Sequence, residues 1–310
     1  MAELIFLNVG YGEAILLRQG EHTAIIDGGS GIPEEYTRTD SGRMELAEYL
    51  RHENIRRIDV CVLTHIHEDH IGGLQQALAL VEVGMFVQTL PVNFYKELAQ
   101  LDVSKLQTED AKLLVDAIHI YRHLCETYSQ VLRQASCGEN LTLVPGVSCR
   151  FLGPEPQQVK ELLQDLRDID TEQALLALNK KMNSYSLIVR LNCDGVRVLL
   201  PGDADAQVLS RYNSDELQAD VFKVGHHGQR DGLTEMLLRR IAPRLVVCCA
   251  SSDKKYNSAD ETVTDMVIRS GAQMLFSDSP KVKGMEIPKH TTLTIELGTA
   301  MAVHYGEELS

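Results

Sequence analysis

No CxxC pair occurs among the seven cysteines of this 310-residue chain, Cys61, Cys125, Cys137, Cys149, Cys193, Cys248 and Cys249, and most of them sit within apolar runs. They read as reduced core cysteines with no chemical role. Basic residues are also scarce: 30 Lys and Arg face 44 Asp and Glu, for a formal charge of −14 and a pI near 5.2. That balance excludes nonspecific affinity for phosphate backbones, which needs Lys and Arg to displace counterions, so any nucleic-acid contact must be local. Met1 to Gly10 lacks a basic start and a long apolar segment, and no later run approaches the length that crosses a bilayer. The expected location is therefore cytoplasmic. Repeats and low-complexity linkers are absent, while 44% hydrophobic content is enough for a sizeable core in one large domain or two modest ones.

What is present is concentrated in Thr64-His65-Ile66-His67-Glu68-Asp69-His70-Ile71-Gly72-Gly73, directly after the apolar run Val60 to Leu63. In extended chain His65 and His67 project to the same side. Asp69 and His70 fall where the pattern Ile71 to Leu80 begins a helix, so four ligands converge from one strand-to-helix turn. Neutral imidazoles and a carboxylate suit zinc first, with manganese or iron as alternatives. The spacing predicts a metal site, and a binuclear one.

Organisation along the chain is α/β. Strand-like runs Leu4 to Val9, Ala14 to Arg18 and Thr23 to Asp27, punctuated by glycines, open as a β-meander. Helices at Met44 to His52 and Gly73 to Val81 then alternate with strands at Ile58 to Leu63 and Met85 to Leu90. Residues 94 to 135 and 155 to 182 carry helical periodicity without comparable strands. They read as a helical insertion, about 94–182, interrupted by short strands near 141 to 152. Strands return at Ser186 to Asn192, Val196 to Leu200 and Asp220 to Val224, with a helix near Asp205 to Tyr212. A last set of helix and strand fills 233 to 305. The whole, 1–310, is expected to form a single domain.

Two further clusters stand at strand ends: Leu199-Leu200-Pro201-Gly202-Asp203, and Val221-Phe222-Lys223-Val224-Gly225-His226-His227-Gly228. In each, an apolar run fixes a strand and a glycine lets the chain turn so that Asp or His reaches inward. Five of the eleven histidines lie in the two His clusters. His22, His52, His290 and His304 are isolated and read as surface or satisfied core residues. His119 and His123 share a helix face at a spacing that can bind metal, but they lie in the insertion.

These residues resemble the metallo-β-lactamase superfamily. More narrowly, they are similar to the soluble hydrolase-like domain of ComEC-type DNA-uptake proteins and their freestanding relatives. The resemblance rests on Leu7 to Ala14 with Ile25 to Gly29, on His65 to Gly73, on Asn183 to Asp203, and on Lys223 to Gly228. It implies an αββα sandwich with metals at one edge of the two sheets. It further implies that His65 and His67 hold one metal, that Asp69, His70 and His226 hold the other, that Asp203 bridges both, and that Asp27 orients ligands from behind. The chain departs from the family at Met182-Asn183-Ser184-Tyr185-Ser186, where many members carry a histidine. Asn183 reads there as a weak or outer ligand. Tyr11 and Glu13 replace a common Gln and Asp. Gln229-Arg230 and Ser258-Ala259-Asp260 replace a serine and a His-Pro pair, so substrate contacts are expected to have diverged. The membrane-spanning competence region is absent, so no transport role is carried over.

Two divalent ions about 3.5–4 Å apart would bring a bridging water to hydroxide near neutral pH and steady a phosphoryl oxygen, with Asp69 as a catalytic ligand. His227 either protonates a leaving alkoxide, steadies Asp203, or packs under its turn. Lys223 reads as a flanking charge, and Arg230 as a candidate phosphate contact. The leading expectation is a metal-dependent phosphodiesterase or nuclease acting on nucleic acid or a nucleotide. A lactone, thioester or other carboxylic ester is the alternative substrate. A third reading is a partner-binding regulatory module with a structural metal. The insertion is expected to serve as a lid, a specificity wall or a contact to a protein partner or a second copy.

Overall fold

Alternation of side chains along each strand decides the layering. In the computed structural model, which describes residues 1–90, 103–167, 169 and 171–306, Leu4, Phe6, Ile15, Leu17, Ala24 and Ile26 share one apolar cluster with Val198, Leu200, Val221, Leu245 and Val247. The residues between them face the other way: Ile5, Leu7, Leu16 and Ile25 meet one set of helices, and Leu199, Phe222, Val246 and Cys248 meet another. A period of two with both faces apolar requires cover on both sides of each sheet. The result is the expected αββα sandwich.

The strands are β1 (Ala2–Leu7), β2 (Ile15–Gln19), β3 (His22–Ile26), β4 (Arg57–Ile58), β5 (Val60–Val62), β6 (Glu82–Val83), β7 (Phe86–Gln88), β8 (Leu132–Gln134) and β9 (Asn140–Val144). They continue with β10 (Val147–Gly153), β11 (Ile188–Cys193), β12 (Val196–Leu200), β13 (Val221–Lys223), β14 (Leu245–Cys248), β15 (Gln273–Phe276), β16 (Thr292–Leu297) and β17 (Val303–Gly306). One sheet runs β17-β16-β1-β2-β3-β5-β7-β8 and the other β15-β14-β13-β12-β11-β10-β9, with β4 and β6 paired apart. Pairing is parallel between β3 and β5 and between β12 and β13. Chain leaving these four strands therefore emerges at the same end of the sandwich, the place where parallel sheets mount ligands.

The segment after β7 is less purely helical than its periodicity suggests. Its described part holds helices Glu109–Thr127, Pro156–Arg167 and Glu172–Met182. It also supplies β8 to the edge of the first sheet and β9 and β10 to the edge of the second. The strand at Leu132–Gln134, inside the stretch expected to lack one, has half-exposed and exposed positions including Arg133, so it carries no alternation to read. Residues 94 to 102 of the expected insertion lie outside the described residues. Ala111, Leu114, Ile118, Leu175 and Met182 pack into the same cluster as Ile25, Leu63 and Ile71, so these helices share the core that backs the metal motif. Among the described residues, no helix is long and apolar enough to cross a membrane.

Candidate metal centre

Four loops at one end of the sandwich bring the predicted residues together. After β3, Asp27 is fully buried in the left-handed region, at φ 58°, a conformation held only where surroundings enforce it. Its Oδ1 accepts the Thr64 N–H at 2.7 Å, and its Oδ2 accepts the Thr64 hydroxyl at 2.5 Å and His70 Nδ1 at 2.7 Å. Asp27 thereby fixes His70 with Nδ1 protonated and Nε2 free to act as a ligand. After β5 the chain stays extended through His67 and turns helical at Glu68–Ile71. Glu68 accepts from the Ser30 hydroxyl and the Gly31 N–H, which ties that turn to the loop after β3, and burial pushes its carboxyl up to about 7. Gly73 makes the same join by close approach: a Cβ there would collide with the Gly28 carbonyl oxygen.

After β12, Asp203 is buried with its N–H donated to Ser186 Oγ at 3.2 Å. Lys223, read as a flanking charge, is instead fully buried. Its ammonium donates to the Gly202 carbonyl at 2.8 Å, lies 3.4 Å from Asp203 Oδ1 and forms an ion pair with Glu13. Burial opposes ionisation of Asp203, but the His227 and His70 imidazoles and the Lys223 ammonium outweigh it and hold the carboxyl well below the usual range.

The turn after β13 places its two histidines differently from the expected assignment. His226 and His227 are both left-handed, at φ 49° and 51°. His227 is completely buried, donates Nδ1–H to the Cys249 carbonyl at 2.8 Å, and holds Nε2 3.0 Å from both Asp69 Oδ2 and Asp203 Oδ2. His226, expected as a ligand, turns to the cleft wall: its Nδ1 lies 2.9 Å from Asp231 and its Nε2 lies 3.1 Å from the Gln229 amide.

The ligand-type atoms fall into two groups. In one, His70 Nε2 and His227 Nε2 face each other at 3.2 Å, with Asp69 and Asp203 carboxylates around them. Because both Nδ1 atoms are committed as donors, lone pairs of two imidazoles and two carboxylates converge on one point. That arrangement is repulsive unless a cation or protons occupy it. Burial opposes charge on the two imidazoles, yet the carboxylates overcome it, pushing His227 up to about 9 and His70 well above its ordinary value. In the other group, His65 Nε2 and His67 Nε2 are buried without hydrogen-bond partners. Burial above all lowers the pKa of both, leaving neutral imidazoles. The His65 and His67 rings are 4.9 Å apart, and His65 Nε2 lies 3.9 Å from Asp203 Oδ2. Asp203 thus stands between the groups. Asp27 is near enough to count with His65 and His70, but its oxygens are already taken by Thr64 and His70, so it braces rather than ligates.

A cleft of about 250 Å³ opens over this cluster, lined by Tyr11, His67, Asp69, Asn183, Asp203 and His226 among others. Asn183 Oδ1 is buried there with no partner. Arg230 is exposed and outside that lining. His119 and His123 are exposed on their helix, away from the cluster. Tyr11, Gln229 and Tyr256 complete the rim, with Asp231 on His226; of these, Tyr11 and Gln229 stand out in the sequence as departures from the family's pattern.

The two-sheet layout is that of the metallo-β-lactamase fold, and at one end it carries His and Asp groups suited to divalent metal. The metallo-β-lactamase superfamily model matches residues 7–104. By sequence the chain is similar to ComE operon protein 3 of Bacillus subtilis (strain 168), at 22% identity over 242 residues, 76% of this chain and 26% of that protein. It is similar also to competence protein ComA of Neisseria gonorrhoeae, at 22% over 275 residues, 87% of this chain and 30% of that one. The chain thus spans less than a third of the length of these relatives. Among solved structures, Igni18, a metallo hydrolase from Ignicoccus hospitalis KIN4/I, shares the fold with a TM-score of 0.51 and 14% identity, covering 96% of this chain and 100% of that one.

Proposed function

We propose that the chain is a metal-dependent phosphodiesterase acting on nucleic acid or a nucleotide, and that its metal ligands are His65, His67, Asp69, His70, Asp203 and His227, with His227 in the place expected of His226. The observation that carries the proposal is the convergence of unshared lone pairs: His70 Nε2 and His227 Nε2 face each other at 3.2 Å between two carboxylates, beside two buried, unpartnered imidazole nitrogens. The donor set is nitrogen and carboxylate oxygen without thiolate, which fits zinc or manganese. When bound, a pair of such ions supplies an activated water at neutral pH and neutralises charge on a phosphoryl group.

The chain's own residues do the remainder. Asp27 and the Cys249 carbonyl hold His70 and His227 in the tautomer that presents Nε2. Lys223 and Glu13 hold Asp203 in place from beneath. Tyr11 lies across His227, ring centroids 4.4 Å apart, and keeps bulk water from that side. His226, oriented by Asp231, lines the cleft where a leaving alkoxide would take a proton. Asn183 takes a substrate or outer-ligand role through its unpartnered oxygen. The core shared by the Glu109–Thr127 and Glu172–Met182 helices with the metal motif supports reading 1–310 as one domain, the inserted helices forming a wall of the cleft. Resemblance to the soluble domain of ComEC-type proteins supports reading the substrate as a phosphodiester rather than a carboxylic ester.

The test is hydrolysis of bis(4-nitrophenyl) phosphate and of plasmid DNA with zinc or manganese, comparing wild type with Asp203→Ala and His67→Ala and measuring metal content on each sample. Turnover lost in both variants supports the proposal. A fully loaded wild type that cleaves lactones or thioesters and leaves both diesters intact refutes it.

A further inference from the structure

One side of the cleft is not accounted for by the metal cluster. Tyr256 is 55% exposed, the one aromatic among the large apolar side chains left exposed in the described residues. It lines the cleft and meets Tyr11 edge-on, with ring centroids 5.0 Å apart and planes at 64°. Tyr11 in turn covers His227. A file of three rings therefore leads from a metal-ligand imidazole to solvent, ending in an exposed phenol ring. Across the cleft stand Leu113 and Leu114 of the Glu109–Thr127 helix.

The loop that carries Tyr256 is clamped rather than loose. Lys254, Tyr256, Asn257 and Ala259 are all left-handed, with φ between 50° and 59°, a conformation costly to residues other than glycine. Fixed partners hold it. Lys255 pairs with buried Glu35 and sits 5.6 and 5.2 Å from the Tyr11 and Tyr256 ring centres. Arg43, its side chain fully buried, bonds Asp253 at 2.8 Å and Asp278 at 3.2 Å. The Ser252 N–H donates to Asp278 at 2.7 Å, and the Ala259 N–H to the His227 carbonyl at 3.1 Å. The ring is thus set in one pose relative to the metal ligands before any substrate arrives.

We infer that Tyr256 is a stacking platform for a nucleobase, so that the diester cleaved carries a base next to the scissile phosphate. The inference rests on the diester reading and narrows it to nucleotide esters. Stacking suits this chain because it is independent of charge: a molecule of net charge −14 gains little from phosphate attraction, whereas every base offers a π-face to a tyrosine.

The chain has no tryptophan, so Tyr256→Trp places a single, selectively excited tryptophan at the platform. In the zinc-loaded variant, adenosine 5′-monophosphate should quench its emission and ribose 5-phosphate should not. In kinetics, Tyr256→Ala should lower kcat/KM about ten-fold on thymidine 5′-(4-nitrophenyl phosphate), leave methyl 4-nitrophenyl phosphate unchanged, and be rescued by Tyr256→Phe. Quenching by both phosphates, or equal loss on both esters, overturns the assignment. Selective quenching in a protein that cleaves neither ester would sink the diester reading and leave the platform standing. Cleavage of both esters by wild type without selective quenching would do the reverse.

Discussion

Lys223 carries its charge with no exposure to solvent, between Glu13 and Asp203. A buried charge is tolerated only when paired, and removing one partner strands the other. Lys223→Met should therefore destabilise the fold by about 3–5 kcal/mol in urea denaturation and lower metal content, because Asp203 loses its brace. Adding Glu13→Gln to it should recover part of that loss; no recovery would mean that the two residues are not coupled. The adjacent histidines divide differently. His227→Ala should reduce bound metal per chain by elemental analysis, while His226→Ala should keep its metal and lose roughly 10²–10⁴ in turnover on substrates with poor leaving groups. A metal-depleted His226→Ala protein would reverse that assignment. Titration gives an independent check. In metal-free protein His227 is raised to about 9 from an ordinary 6.5, so its contribution to stability is fully present below about pH 6.5 and lost as pH rises through about 9. Metal must displace that proton, so zinc affinity should climb over the same window and calorimetry in buffers of different ionisation enthalpy should register proton release. His65, His67, Asp69 and His70 stand out in the sequence because they are tightly spaced after an apolar strand, Asp203 stands out only beside that motif, and Asp27 only through the family resemblance. Lys223 was not, since a lone lysine in an apolar strand reads as an edge charge until the opposing Glu13, over two hundred positions away, is known.

Elements meet at this end of the sandwich through backbone rather than side chains. Gly225 packs against the Ala204 carbonyl, as Gly73 does against Gly28, leaving no space for a Cβ in either place. Gly225→Ala should push the His227 turn away from Asp203 and show as weaker metal binding; unchanged affinity would mean that the turn can shift freely. The opposite substitution is informative at the helix Glu235–Ile241. It ends on Ala242, exposed and left-handed at φ 51°, ψ 52°. Glycine is the favoured residue there, so Ala242→Gly should raise stability by about 1 kcal/mol. Strands β12 and β13 were found from sequence almost to the residue because apolar residues fill most of their inward and outward positions, Arg197 and Lys223 excepted. The helical pattern expected over Ile71 to Leu80 proved to belong to two short helices, Glu68–Ile71 and Leu74–Leu78. The Gly72-Gly73 pair, packed against Gly31 and Gly28, divides them.

On the scale of the whole molecule, the ligands are shared between the sheets: Asp69 and His70 follow a strand of one, Asp203 and His227 follow strands of the other. His70 and His227 are 157 residues apart in sequence. Neither sheet alone holds a complete set. During synthesis the His65–His70 segment is made well before its counterpart, and an ion it meets then has only half its ligands. Full affinity waits until β12 and β13 have docked. Metal retention against a chelator is thus a readout of finished assembly: a truncated or half-folded chain should surrender its zinc quickly, and the complete one slowly.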